Sequence, residues 1–511
     1  MSRLVVFAWC LKLVLALPSS QQPLLQPDAV QYGSNIDSAI RNANSIFNAV
    51  HSSMRQWGSS IQHNGMSIFP AHVPEGTLLY HGTDFSEPIT GMEWLAFEIE
   101  HAESFAVGPR RGRPPPKRPE DPGDRPEGPH PPGEAFNSFW ERGEADDEGP
   151  RWEAGYLHMY RTTRPLRLLY LDGMSAGKSS FGTLDTQDLL LLNDSTTPMR
   201  EFARATKLCS LGKEWGIEGF IRMEAGFEII KCNFSDGLEF VSHTKGPNTE
   251  NPELNGRSLF EYVRGISSRY QGIGGNRVSL DYSSMISAFF YPVNLTNPDS
   301  SRSNLPRLVS SDPIQLSHIN SNLKDLLDRK EDHVIIDWQG VVDMIVTRYI
   351  ERLRHMATAT THSSQLAVIN ALLNTFIDYN SFSVAASVEK CSVHFLTPVH
   401  PSTEQDELIY TAIKAVTNKI CGTLFDAREA LLADDGESTI ATSIKAIRDL
   451  NEWLDWPGWK ACGPCDFDQV CFVAMWPFGG IEDHFNPRCK NLTEVNNRNS
   501  GYWNFPGRLE I

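Results

Sequence analysis

The chain reads as an α+β protein: a mixed β domain followed by a mostly α-helical, disulfide-tied C-terminal domain. Three observations predict this order. Short apolar and aromatic runs bounded by turn residues crowd residues 76–245. Apolar positions recur at helical spacing over 314–327, 335–356, 364–377, 407–433 and 440–454. Eight cysteines fall after residue 200, four of them between positions 462 and 489.

A length of 511 residues exceeds one ordinary core, so two or three domains are expected. The 63 acidic and 46 basic side chains leave a net charge of −17, which argues against a general nucleic-acid or anionic-membrane binder. Residues 1–20 have the form of a secretory signal peptide: a basic start at Arg3, an apolar run from Leu4 to Leu17 broken by Lys12, then Pro18-Ser19-Ser20. That run is too short to span a bilayer, and no later stretch offers about 20 uninterrupted apolar residues. A secreted, extracellular protein without stable membrane insertion is expected.

Cysteine usage points to the same compartment. Cys10 leaves with the signal, and the remaining eight are Cys209, Cys232, Cys391, Cys421, Cys462, Cys465, Cys471 and Cys489. An even number in an exported chain suggests four disulfides. The expected pairs are Cys209 with Cys232 and Cys391 with Cys421, the last four pairing among themselves or with one exchange outward. Sequons at Asn193, Asn233, Asn294 and Asn491 are candidate glycosylation sites.

Taken in order, residues 21–75 form an N-terminal amphipathic helix region. Its seam runs through Ile36, Ile40, Ala43, Phe47, Val50, Met54, Trp57 and Ile61 at alternating spacings of 4 and 3. The β domain at 76–245 is interrupted at 108–150 by a Pro- and Gly-rich segment, basic and then acidic, that cannot bury enough apolar surface to order itself. Strand-like runs resume at Tyr156 and Leu166. A short helix is predicted over Met199–Leu211, and then a hairpin turning near Glu224-Ala225-Gly226. Asn, Pro and Ser mark 246–310 as a linker. The helical domain covers 311–458, and a Cys-rich tail, 459–511, is expected to close onto it.

Three separated motifs carry the candidate chemistry. They are Leu79-Tyr80-His81-Gly82-Thr83, then Trp94 running into a helix with Ala102 and Phe105, then Phe227-Glu228-Ile229-Ile230 behind Gly216-Ile217-Glu218-Gly219. In this order they resemble the His-Tyr-Glu branch of the ADP-ribosyltransferase fold over about residues 76–240. Trp94 stands where that family has Tyr, which keeps a stacking plane and removes a hydroxyl. The resemblance implies NAD as substrate, Glu228 and His81 as catalytic residues, and His81, Gly82, Thr83, Trp94 and Phe105 around the dinucleotide.

The residue chemistry is consistent with that role. Cleaving the nicotinamide–ribose bond builds positive charge on the ribose, which a carboxylate at Glu228 stabilises. His81 can fix a ribose hydroxyl, Gly82 can admit a ligand to the backbone, and Trp94 with Phe105 can sandwich a flat ring. Each also has a plainer reading. His81 fits a satisfied turn histidine, Trp94 and Phe105 fit core positions, and alternation between Phe227 and Ile229 would point Glu228 at solvent.

Two further motifs are weaker. Gly173-Met174-Ser175-Ala176-Gly177-Lys178-Ser179 has three residues between its glycines where a phosphate-binding loop has four. Cys462-Gly463-Pro464-Cys465 could be a redox pair, or a zinc site with His484, but structural disulfides suit an exported chain better. No metal is expected. The sequence thus predicts a secreted NAD-dependent ADP-ribosyltransferase or NAD glycohydrolase acting on an unknown macromolecular acceptor. The alternative is a non-catalytic secreted glycoprotein with a structural or interaction role that retains the fold.

Overall fold

The computed structural model describes residues 32–109, 152–194, 200–246, 259–329, 333–359, 361–495 and 502–503. The expected signal segment and nearly all of the Pro-rich insertion lie outside these. The expected single N-terminal helix is three pieces: α1 (Ile36–Arg41), α2 (Ala43–Ser52) and α3 (Gln56–Ile61). Met54, at a positive φ of 53°, turns the chain between the last two. The predicted seam is buried from Ala43 to Ile61, whereas Ile36 and Ile40 are exposed.

One mixed sheet organises the protein. Its strands in chain order are β1 (Ser67–Val73), β2 (Leu78–Thr83), β3 (Glu93–Ala96), β6 (Tyr156–Thr162), β7 (Leu166–Leu171), β8 (Gly219–Glu224), β9 (Gly226–Lys231) and β10 (Leu238–Lys245), with short β11 (Ser279–Leu280) and β12 (Ile286–Ser287). The spatial order is β10-β6-β2-β3-β9-β8-β7-β1-β11, with β12 also paired to β1. The β7–β8 pair is parallel and the other pairs are antiparallel. Helix α4 (Ile99–Phe105) follows β3, and α5 (Glu201–Trp215) precedes β8. Beside the sheet, β4 (Val107–Pro109) and β5 (Trp152–Ala154) pair with each other. They bracket the insertion, so its first two expected residues, Gly108 and Pro109, belong to a strand.

Two sequence expectations are corrected here. The 21–75 region contributes β1, a strand paired along its length with β7, rather than more helix. The expected linker at 246–310 contains α6 (Leu259–Ser267), β11 and β12, and it buries Phe260, Val263, Phe290 and Tyr291. Its polar composition hid short apolar clusters, and Ile286 pairs directly with Ile68.

The helical part is as predicted in kind. It comprises α7 (Pro313–Leu327), α8 (Trp338–Met356), α9 (His362–Leu373), α10 (Val384–Ser392), α11 (Glu404–Ala433) and α12 (Glu437–Leu454). Helix α11 starts at a capping box, in which Thr403 accepts from Asp406 N and Asp406 reaches back to the cap backbone. Asp406 also accepts from the Trp338 indole at 2.8 Å, fixing α8 against α11. One apolar core runs from the sheet through α2 into these helices. Asn48 donates to the Leu454 carbonyl at 2.9 Å, and Arg55 grips Asp343 at 2.8 and 2.6 Å. No helix among the described residues is long and apolar enough to cross a membrane.

All eight described cysteines are paired: Cys209–Cys232, Cys391–Cys421, Cys462–Cys471 and Cys465–Cys489. Cys462 and Cys465 therefore bond to different partners, which removes both the redox pair and a thiolate zinc site. The tail does touch the helical part, where Trp459 donates to the Ile350 carbonyl at 3.1 Å. Beyond that it closes mainly onto the sheet side. The Trp476 carbonyl accepts from Ala225 N at 3.1 Å, and Tyr270 donates to the Cys471 carbonyl at 2.6 Å.

Titration in denaturant of the chain from Gln21 onward should find no free thiol, and two or more would contradict the pairing. Closing the Cys391–Cys421 loop, a sequence separation of 30, contributes about 3–4 kcal/mol in the chain-entropy model. The double Ser variant should lose that much in urea denaturation.

Candidate active site

The site begins as a split in the sheet. Strand β2 pairs with β6 from Leu78↔Arg161 to Thr83↔Tyr156, and β3 pairs with β9 from Glu93↔Lys231 to Ala96↔Glu228. Between β2 and β3 the ladder is the single pair Tyr80↔Ala96. Beyond it the strands part, leaving Gly82 and Thr83 apart from Trp94 and Glu93. A cleft occupies this opening, and α4 forms one wall. His81, Gly82, Thr83, Trp94, Phe105 and Glu228 all line it, so the three distant motifs meet at one place. Gly82 has a different reason from the expected one. A Cβ there would lie 2.0 Å from the Ala102 carbonyl, so the missing side chain lets α4 pack on β2.

His81 is 8% exposed, and its Nδ1 lies 2.6 Å from the Trp94 carbonyl oxygen. That contact makes Nδ1 the protonated nitrogen, since a carbonyl only accepts, and leaves Nε2 as an acceptor. Burial pushes the imidazole pKa down to about 4, against the opposing effect of the Trp94 contact, so the ring is neutral at pH 7. Trp94 is buried, and its indole N–H meets no acceptor among the described residues.

Glu228 is buried, contrary to the solvent face that alternation suggested. Every residue of β9 is buried, because the sheet is covered on both faces there. Its carboxylate accepts from Arg222, at 3.1 Å from Nε and again from Nη2. Arg222 also donates to Glu201 and, at 3.0 Å, to the Gln187 side-chain oxygen. Glu201 in turn accepts from Arg204 at 2.7 Å, and Arg204 reaches Asp188 at 2.7 and 3.0 Å. Lys178 lies 3.8 Å from Glu201 and 3.6 Å from Glu224, with its ammonium 4.7 Å from the centre of the Trp476 ring. Lys178 is thus bound within a buried acid cluster, and the glycine-rich run before it is a turn, with Gly173 at φ 67°, rather than a phosphate loop.

Charge neutrality explains the network. Burial raises Glu201, but Arg222, Lys178 and Arg204 outweigh it and hold the group well below the carboxylate range. Burial drives Glu224 the other way, to about 8, with Lys178 opposing and Glu228 reinforcing the rise. With Glu224 protonated, Lys178, Arg204 and Arg222 balance Asp188, Glu201 and Glu228. His101, Glu224 and Glu228 place ligand atoms within 4.8 Å of one another, a spacing a metal ion could use. Lys178 and Arg222 already supply positive charge there, and the set reads as an ionic network.

Sequence reasoning missed Arg222, Glu201 and His101, and met Lys178 only in a weak phosphate-loop-like run. The signal was present in β8: Arg222 and Glu224 stand at i, i+2 in the apolar run Gly219-Phe220-Ile221-Arg222-Met223-Glu224. A buried strand carries such charges only when they are paired.

Comparison with known proteins adds likenesses and no activity. Residues 30–254 match the YPL277C N-terminal domain family. The matched segment takes in the helices before β1 and the sheet through β10, and so the whole cleft. The uncharacterized Saccharomyces cerevisiae protein YOR389W is 26% identical over 90% of this chain and 84% of its own length. The uncharacterized protein YPL277C of the same yeast is 38% identical over 39% of this chain and 42% of its own length. No solved structure matches the chain.

The network gives stability a pH signature. The fold holds a proton on Glu224 between its ordinary value of 4.5 and about 8, where the unfolded chain has released it. Stability from this group is fully present below pH 4.5 and is lost as pH rises through that window. Urea denaturation at pH 5 and pH 8 should show Glu224→Gln losing less stability on alkalinisation than wild type. An equal loss would remove Glu224 as the proton holder.

Proposed function

We propose that this chain binds NAD in the β2–β3 cleft and cleaves its nicotinamide–ribose bond, passing ADP-ribose to a macromolecular acceptor or to water. The observation that carries the reading is the convergence of His81, Trp94, Phe105 and Glu228 on one cleft. Neutral His81 offers Nε2 to a ribose hydroxyl, while Trp94 and Phe105 offer faces to a flat ring. No Lys or Arg is among the residues lining the cleft, which carries Asp84, Glu93 and Glu228. Such a lining favours a cation, and the nicotinamide ring of NAD is a pyridinium cation. Glu228 then lies where positive charge develops on the ribose.

Export of the protein belongs to the same proposal. It is supported by the four disulfides and by sequons whose asparagines are exposed at Asn193, Asn233 and Asn294 and half-buried at Asn491. A second reading, a non-catalytic secreted glycoprotein, has one observation in its favour: Arg222 engages Glu228 and reduces the charge available to a ribose.

Incubation with NAD, following nicotinamide release, separates the two readings. Glu228→Gln keeps size and hydrogen bonding but removes charge. Its turnover should fall by about 10²–10³ while NAD still binds. Binding without release by wild type would favour the non-catalytic reading, and undiminished release by the variant would remove Glu228 from the chemistry.

A further inference from the structure

A transfer or hydrolysis reaction at this cleft needs a group that removes a proton from the incoming nucleophile. Glu228 is a poor candidate, because Arg222 occupies one of its oxygens from two nitrogens. His81 uses Nδ1–H on the Trp94 carbonyl, and burial keeps its ring a weak base. One other carboxylate in the lining is nine-tenths buried. Glu93 is 7% exposed, and among the described residues no cation pairs with it. Lys231, its neighbour across the β3–β9 ladder, turns instead to Glu218 at 3.7 Å.

Strand register sets where Glu93 stands. Ala96 lies opposite Glu228 and Glu93 lies opposite Lys231. Residues an odd number apart on a strand point to opposite faces, so Glu228 and Glu93 belong to opposite faces of the sheet. Both line the opening where β2 and β3 part. A sugar seated in that opening meets one carboxylate on each side, the arrangement an in-line displacement at an anomeric carbon requires.

Resting on the NAD reading, we infer that Glu93 is the general base that activates the nucleophile. As the oxygen of water or an acceptor hydroxyl forms its bond to the ribose C1′, its proton passes to the Glu93 carboxylate. The bond from C1′ to the ring nitrogen breaks at the same time. Its electron pair goes to that nitrogen, and nicotinamide leaves neutral. No oxidant, reductant or metal is required.

The titration behaviour agrees with this role. Burial raises Glu93 to about 7, against the lowering effect of the Trp94 backbone N–H. The titratable groups around it in the cleft are Tyr80 and His81 on β2, Asp84 after it, His101 on α4 and Glu228 on β9, with the Lys231–Glu218 pair beside it. His81 and His101, both lowered to about 4 by burial, stay neutral across the relevant range. Glu98, beyond the other end of β3, is also raised to about 7 by burial and is held by Arg269 at 3.3 Å. The substitution at Glu93 distinguishes the two.

The experiment measures nicotinamide release from NAD by wild type, Glu93→Gln, Glu93→Asp and Glu228→Gln from pH 5.5 to 8.5, with and without azide. Wild-type turnover should rise through about pH 7. Glu93→Gln should lose about 10²-fold or more in kcat, keep KM within about two-fold, and lose the rise with pH. Azide, a nucleophile that needs no deprotonation, should restore turnover in Glu93→Gln and yield the ribosyl azide, but should not restore Glu228→Gln. Glu93→Asp should be slower and retain the pH dependence. Wild-type rate and pH profile in Glu93→Gln, or no response of that variant to azide, overturn the role of Glu93 alone. Wild-type protein that releases no nicotinamide overturns the NAD reading, and this inference with it.

Discussion

The guanidinium of Arg222 is the charge on which the site depends. It is fully buried in the middle of the sheet, where an unpaired cation would cost several kcal/mol. Glu228 on the neighbouring strand, Glu201 on α5 and Gln187 share its donors. These contacts tie the hairpin of β8 and β9 to the helix that covers it, and they set the orientation of the carboxylate that faces the cleft. Arg204, Lys178 and Asp188 extend the network until cations and anions balance, with the proton on Glu224 completing the count. Burying so many ions contributes little net stability, because desolvation opposes attraction. What it does provide is geometry: a carboxylate in one fixed position at the base of an opening in the sheet.

The rest of the molecule supports that opening. Helix α4 can lie across β2 because Gly82 has no side chain, and the β8–β9 turn can pass under His101 because Gly226, at φ 108°, has none. The C-terminal tail, tied by Cys462–Cys471 and Cys465–Cys489, lays Trp476 over Lys178 and so closes the network from behind. Three short N-terminal helices fill the space between the sheet and the helical part, which is why a single core spans both.

Much of this was legible from residue order. The runs around His81, Trp94 and Glu228 announced strands that belong together, and cysteine spacing suggested the two long-range pairs Cys209–Cys232 and Cys391–Cys421. Illegible features had physical reasons. Met54 breaks the first helix through a backbone angle that no apolar period reports. Ile286, Phe289 and Phe290 sit in a polar context, so the strand and buried turn they form were read as a linker. The face of Glu228 could not be read from alternation, since a strand covered on both faces has no solvent side. Arg222 and Glu201 lie 21 residues apart, and only the three-dimensional fold brings them together.

The central claim is that the parted strands β2 and β3 form a seat for a nicotinamide dinucleotide. A crystal structure of the Glu228→Gln protein soaked with NAD tests it most directly. The account predicts a flat ring between Trp94 and Phe105, the attached ribose within hydrogen-bonding distance of His81 Nε2, and the carboxamide position 228 facing C1′. A dinucleotide bound elsewhere, or a cleft that stays empty at saturating NAD, would contradict it.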